Sequence, residues 1–198
     1  MRSDKGFSLL EFLVALFLTA VAILGFFSLQ SRTQLSTLEV MQRDEALRIA
    51  RNMVELIQAN PEVADCFAFS SYGVDYLGTG YTGGSVSCAA FGTNETRSRP
   101  ETDLVRWNLM LQGFGERSSS NEAIGSLVDA RGCVYGPADV YDSAGNLVSS
   151  TDFYEVVVVY QGASGTVVPS TPCGQGLYGT DTFRRAVRLY VRLAELDS

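Results

Sequence analysis

Lys5-Gly6-Phe7-Ser8-Leu9-Leu10-Glu11 opens an apolar stretch that runs to Leu29, and its reading decides the rest of the chain. Between Phe7 and Leu29 the one charge is Glu11. About 20 apolar residues suffice for a helix to cross the hydrocarbon core of a bilayer. A lone carboxylate inside such a run costs on the order of 3 kcal/mol on insertion scales, so it is usually kept for a task and given a partner. Left unpaired it would tend to protonate. A secretory signal peptide would have an apolar core of about 7–15 residues followed by a small-residue cleavage site. This run is longer, and Gly25-Phe26-Phe27 followed by Ser28 is a poor site of that kind. A plain single-pass anchor fits the length but gives Glu11 no reason to be there.

Beyond Leu29 the pattern turns amphipathic without a break. Residues 30–60 contain neither Pro nor Gly. Ala46, Ala50, Met53 and Ile57 fall at helical spacing, with Leu35, Leu38 and Val54 near the same stripe, which predicts one buried face and a core role. Glu39 with Arg43 and Asp44 with Arg48 are acidic-before-basic pairs four apart on the exposed side. Asn60-Pro61 ends the helix, because the residue before Pro is pushed out of the helical region. One helix from Phe7 to Asn60 would reach roughly 80 Å at 1.5 Å per residue.

The 198 residues suit one such anchor plus one domain of ordinary size. With 15 basic and 22 acidic residues the net charge is −7. There is no basic surplus to displace counterions from a phosphate backbone, so nucleic-acid binding by this chain alone is not expected. Arg2 and Lys5 precede the apolar run, which agrees with a cytoplasmic N-terminus. The chain has no histidine, which removes Ser–His–Asp and Cys–His catalysis and histidine-held metals. No acid–base or nucleophile constellation converges elsewhere, so neither an enzyme, a metal site nor a cofactor is expected.

The stretch 61–100 is rich in Gly, Ser, Thr and Tyr and is expected to be a long irregular loop. A loop of that length is usually functional or tied down. Phe67, Phe69, Tyr72, Tyr76 and Tyr81 would let residues 67–100 act as a ligand-recognising surface in a membrane-anchored binding module. Asn94-Glu95-Thr96 matches a glycosylation sequon, a short pattern read here as chance. Glu101–Phe114 repeats apolar residues at Leu104, Trp107, Leu111 and Phe114, predicting a helix capped by Thr102 and stopped at Gly113 or Gly115, with Trp107 in the core. Strands are expected at Ile124–Tyr135, Phe153–Tyr160 and Ala186–Leu193, with a turn at Asp142–Asn146. In the last strand Val187, Leu189, Val191 and Leu193 alternate with Arg188, Tyr190 and Arg192, so one face is buried and one wet.

Gly6-Phe7-Ser8-Leu9-Leu10-Glu11 resembles the class III signal of type IV pilins and type II secretion pseudopilins. A short charged leader, the Gly-Phe junction, Glu at the fifth mature position and an unbroken apolar helix coincide. Ser8 departs from the Thr common at the second mature position. The resemblance implies cleavage between Gly6 and Phe7 by prepilin peptidase and N-methylation of Phe7. It also implies pairing of Glu11 with the N-terminal amine of a neighbouring subunit during assembly. Shorter segments, among them Trp107-Asn108-Leu109-Met110-Leu111, Gly132-Cys133, Val156–Gly162 and Cys173–Gly179 with Arg184-Arg185, resemble PilV-type minor pilins.

The fold this implies is α+β, a long N-terminal helical spine packed on an antiparallel sheet. Its parts are a leader 1–6, a membrane or filament-core helix 7–29, an amphipathic half 30–60 and a periplasmic head 61–198. The implied setting is the inner membrane and then the pilus tip, with other minor pilins, the major pilin and a tip adhesin as partners. A minor pseudopilin of the GspI type is the nearest competitor. Cys66, Cys88, Cys133 and Cys173 all follow the span, and an even count in an oxidising compartment reads as two disulfides. Three connectivities exist. Cys66–Cys88 would staple the irregular loop, and Cys133–Cys173 would join neighbouring strands, as a C-terminal disulfide similarly bounds a contact loop in pilins.

Overall fold

A computed structural model describes residues 9–114, 127–141, 147–151 and 153–193. By its contacts the chain divides into two compact units, Met1–Val40 and Met41–Ser198.

The described part of the first unit is helical throughout and belongs to α1, Leu9–Ala59. Its apolar side chains are exposed, Leu10 and Leu24 at 70% each. Leu35 and Leu38 are exposed as well, so the buried stripe expected to include them begins only at Ala46.

The second unit holds the core. The remaining part of α1 lays Ala46, Ile49, Ala50, Met53 and Ile57 into one buried cluster with Leu104, Trp107, Val134, Val156 and Val158. Arg48 pairs with Glu45 on the outer side of the helix. The sheet is antiparallel in the order β1 (Leu77–Gly78), β2 (Arg131–Tyr135), β5 (Phe153–Gln161), β6 (Arg184–Arg192), and the fold is α+β, with the stripe from Ala46 to Ile57 of α1 packed on this sheet. A separate two-stranded ribbon pairs β3 (Ala138–Tyr141) with β4 (Leu147–Thr151). The turn expected at Asp142–Asn146 lies outside the described residues.

β5 sorts its side chains by the period of two. Tyr154, Val156, Val158 and Tyr160 join the cluster under α1, while Val157 and Val159 join Cys133, Cys173 and Tyr178 on the opposite face. Both faces of this central strand are thus covered, as a continuous β-branched run requires. β6 keeps one wet face, with Arg188, Tyr190 and Arg192 exposed and Val187 and Val191 buried. Across that face Arg188 and the Tyr190 hydroxyl donate to Glu155 at 3.3 and 3.1 Å. β2 begins at Arg131 because Leu127–Ala130 turns, with Asp129 at φ 55°, and the first residues of the strand expected from Ile124 lie outside the described residues.

The stretch 61–100 is only in part the irregular loop its composition suggests, with no helix or strand over 79–93. It contains two single-turn 3₁₀ segments, Pro61–Val63 and Phe69–Ser71, a short helix α2 (Ala64–Phe67), strand β1, and the start of α3 (Asn94–Leu111). Phe67 and Phe69 are fully buried and so do not serve as surface aromatics. α3 starts seven residues before Glu101. Its cap is Thr93, whose side chain accepts from Thr96 N while the Thr96 hydroxyl accepts from Thr93 N at 3.0 Å. Thr102 is not the cap. It lies inside the helix and donates to the Ser98 carbonyl. Pro100 sits within α3 and is buried, so the packing of its ring accompanies the loss of one helical hydrogen bond.

Candidate assembly site

Glu11 occupies the first turn of the described part of α1 and is exposed. Gly6 and Phe7, the expected processing junction, lie outside the described residues. From Leu9 onward α1 is long and apolar enough to cross a membrane, by length and composition. Four of its hydroxyls bond back within the helix. Thr19 donates to the Ala15 carbonyl at 2.7 Å, Ser31 to Phe27 at 3.1 Å, Thr33 to Leu29 at 3.0 Å and Thr37 to Thr33 at 3.0 Å. Back-bonding of this kind removes the free donors that an apolar medium would penalise. Glu11 is the one charged residue from 9 to 29.

The head is the load this helix would carry, and two disulfides fasten it. Cys66 joins Cys88 with Cα atoms 5.2 Å apart, and Cys133 joins Cys173 at 5.9 Å. The first lies in the cluster under α1 and the second on the opposite sheet face. Around the first, Cys88 N donates to Glu101 at 2.9 Å, which ties the segment before α3 to that helix. The Tyr72 hydroxyl donates to the Cys66 carbonyl, and burial pushes this phenol up to about 12. The Tyr154 hydroxyl reaches Asp65 at 2.6 Å and joins β5 to α2.

Two arginines organise the second disulfide's side: Arg131 has no signature in the sequence, and Arg184 enters there only with Arg185 in the resemblance to PilV-type minor pilins. Arg184 is buried at the start of β6. It donates to the carbonyls of Thr171 and Cys173, both at 2.8 Å, and of Pro169 at 3.2 Å, and meets Asp181 at 3.3 Å. One guanidinium therefore pins the whole return of the connection between β5 and β6. Arg131 lies between the rings of Tyr76 and Tyr178, 5.4 and 4.9 Å from their centroids, and pairs with Asp129 at 2.9 Å. Burial works against the Arg131 charge, but Asp129 and Tyr178 outweigh it and push its pKa up. The Tyr178 phenol is itself pushed up to about 12 by burial, against the pull of Arg131. A pair of adjacent arginines, Arg184-Arg185, carries no local mark of burial. The signal lies in the distant carbonyls that fold back onto Arg184.

Residues 1–27 match the family described as Prokaryotic N-terminal methylation motif. No curated protein and no solved structure matches the chain. The motif supports a type IV pilin-like protein, a pilin or pseudopilin in general. It implies processing by prepilin peptidase and association with other pilins in a pilus or pseudopilus. The apolar helix and the motif together fit anchoring in a membrane.

Proposed function

We propose that the chain is a minor pilin of the PilV type, a non-catalytic subunit of the complex that primes type IV pilus assembly. The observation that carries this reading is the Gly6-Phe7 junction followed by Glu11 on an uninterrupted helix whose apolar side chains are exposed from Leu9 to Leu29. In this reading residues 1–6 are a leader and 7–29 anchor the precursor, then enter the filament core. Residues 30–60 continue the spine, and 61–198 form the periplasmic head. Prepilin peptidase cleaves before Phe7, and the new amine is methylated. Glu11 then pairs with the amine of a neighbouring subunit, which neutralises both charges in an apolar setting. Once assembled the head sits at the pilus tip with other minor pilins, beside the major pilin and a tip adhesin. Adhesion and twitching motility follow from that position.

Deletion of the gene tests the reading. Surface pili should fall in number while the major pilin accumulates in the inner membrane, and quantitative proteomics of sheared pili should find this chain far below the major pilin. Equal abundance would refute the priming role. Normal piliation with loss of protein export would assign the chain to a secretion pseudopilus instead.

A further inference from the structure

On the sheet face opposite α1 the head holds an open cleft of about 390 Å³. That volume lies within the range of small-molecule sites, roughly 300–1,000 Å³. Ser70, Asp75, Tyr76, Tyr135, Gln175 and Leu177 line it. Its walls are held in place. Cys133 Sγ lies 3.3 Å from the Asp75 carbonyl oxygen, Val134 N donates to Ser70 Oγ at 3.2 Å, and Gln175 N donates to the Pro172 carbonyl at 3.0 Å.

The polar groups at this space are open to a ligand, with Asp75 and Gln175 exposed to solvent. The Asp75 carboxylate, the Tyr135 hydroxyl and the Gln175 amide make no side-chain hydrogen bond among the described residues. The Ser70 hydroxyl accepts one bond and keeps its proton to give. Burial, and then the charges of Glu155 and Asp75, push the Tyr135 pKa up, so its phenol remains a donor. Charge narrows the ligand. Asp75 repels an anion, while the Tyr76 ring already holds the Arg131 guanidinium at 5.4 Å and is poorly placed to take a second cation. The donors and acceptors around the cleft suit a neutral ligand with many hydroxyls and an apolar face.

We propose that this cleft binds a neutral saccharide ring. Adjacent sugar hydroxyls donate as a pair to the two Asp75 oxygens, and the Gln175 amide both gives and accepts. Tyr135 and Ser70 donate to ring or hydroxyl oxygens. Tyr76 and Leu177 receive the C–H face of the ring. The proposal does not depend on the place of the chain in a pilus or a pseudopilus.

Saturation-transfer NMR on the full chain tests it, in a polyoxyethylene detergent because glycoside detergents would compete. The probes are the methyl glycosides of glucose, galactose, mannose and N-acetylglucosamine, with tetramethylammonium chloride as the cationic comparison. At least one glycoside should receive saturation at its ring protons. Asp75→Ala should weaken that binding at least tenfold and Gln175→Ala at least threefold, with near-UV circular dichroism unchanged. Glu62→Ala, outside the cleft, should bind as the parent does. Should Asp75→Ala lose its near-UV signature, Gln175→Ala decides alone. Transfer to none of the glycosides, transfer undiminished in Gln175→Ala, or preference for tetramethylammonium over every glycoside would overturn the proposal.

Discussion

The indole Nε1 of Trp107 donates to the main-chain carbonyl of Ile49 at 3.0 Å, across 58 residues of sequence. This bond ties α3 to α1 inside the core, where Trp107 also meets the Phe69 ring at 6.2 Å. A buried indole N–H needs an acceptor, and here the helix backbone supplies it. Trp107→Phe should cost about 1 kcal/mol for the lost bond. Trp107→Ala should cost roughly 3–5 kcal/mol, because a cavity opens as well. Urea unfolding followed by circular dichroism measures both, and an unchanged stability in Trp107→Phe would mean the bond contributes nothing.

Gly132 lies under the same ring. A Cβ built there would stand 2.0 Å from Trp107 Cη2 and 2.9 Å from Leu111 Cδ1. Both neighbours are fully buried and cannot swing aside. Gly132→Ala should therefore destabilise the head by roughly 1–3 kcal/mol or more through overpacking. The lone tryptophan reports it, since its emission should shift to the red as the ring is displaced.

Tyr72 and Tyr178 are both pushed from 10.0 up to about 12 by burial. A phenol with a raised folded pKa binds its proton more tightly in the folded state. Its contribution is complete below pH 10 and is lost as pH climbs from there through about 12. Stability should thus be level from pH 7 to 9 and fall between about 10 and 12. Denaturation midpoints across that range should show the fall, and Tyr72→Phe with Tyr178→Phe should flatten it.

The two disulfides close segments of 22 and 40 residues. In the chain-entropy account each contributes roughly 3–4 kcal/mol. Replacing Cys133 and Cys173 together by Ser should lower stability by that amount and leave membrane insertion through residues 7–29 unaffected. Peptide mapping without reductant should recover Cys66 with Cys88 and Cys133 with Cys173. A peptide joining Cys88 to Cys133 would contradict the pairing.

Substituting Gly6 by a bulky residue should leave a precursor that retains Met1, visible as a heavier intact mass. Glu11→Ala should insert in the membrane as the parent does and fail to enter filaments. Its normal recovery in sheared pili would show that the carboxylate is dispensable.

How far the sequence could be read depended on how local each determinant is. The buried stripe from Ala46 to Ile57 and the alternation in β6 are visible because each repeats within a few residues. Trp107 falls on such a repeat and is buried. The first turns of α3 were hidden by Pro100, which reads as a boundary, and by a capping box made of two threonines rather than Thr and Glu. Composition alone made residues 61–100 look irregular, yet Phe67 and Phe69 are core. Arg131 and Arg184 could not be read from the sequence, because their partners come from elements that meet only in the folded head. The cleft has no sequence signature for the same reason: Asp75, Tyr135 and Gln175 come from separate stretches that meet only in the folded head.

The bridges join the first cysteine to the second and the third to the fourth, neither nested nor interlaced. A chain delivered amino-terminus first offers Cys66 and then Cys88 while both later thiols are still to come. Each cysteine thus meets its proper mate before any rival of later origin. Oxidation in simple order of arrival would yield the native bridges, with an electron acceptor and no exchange of one bond for another.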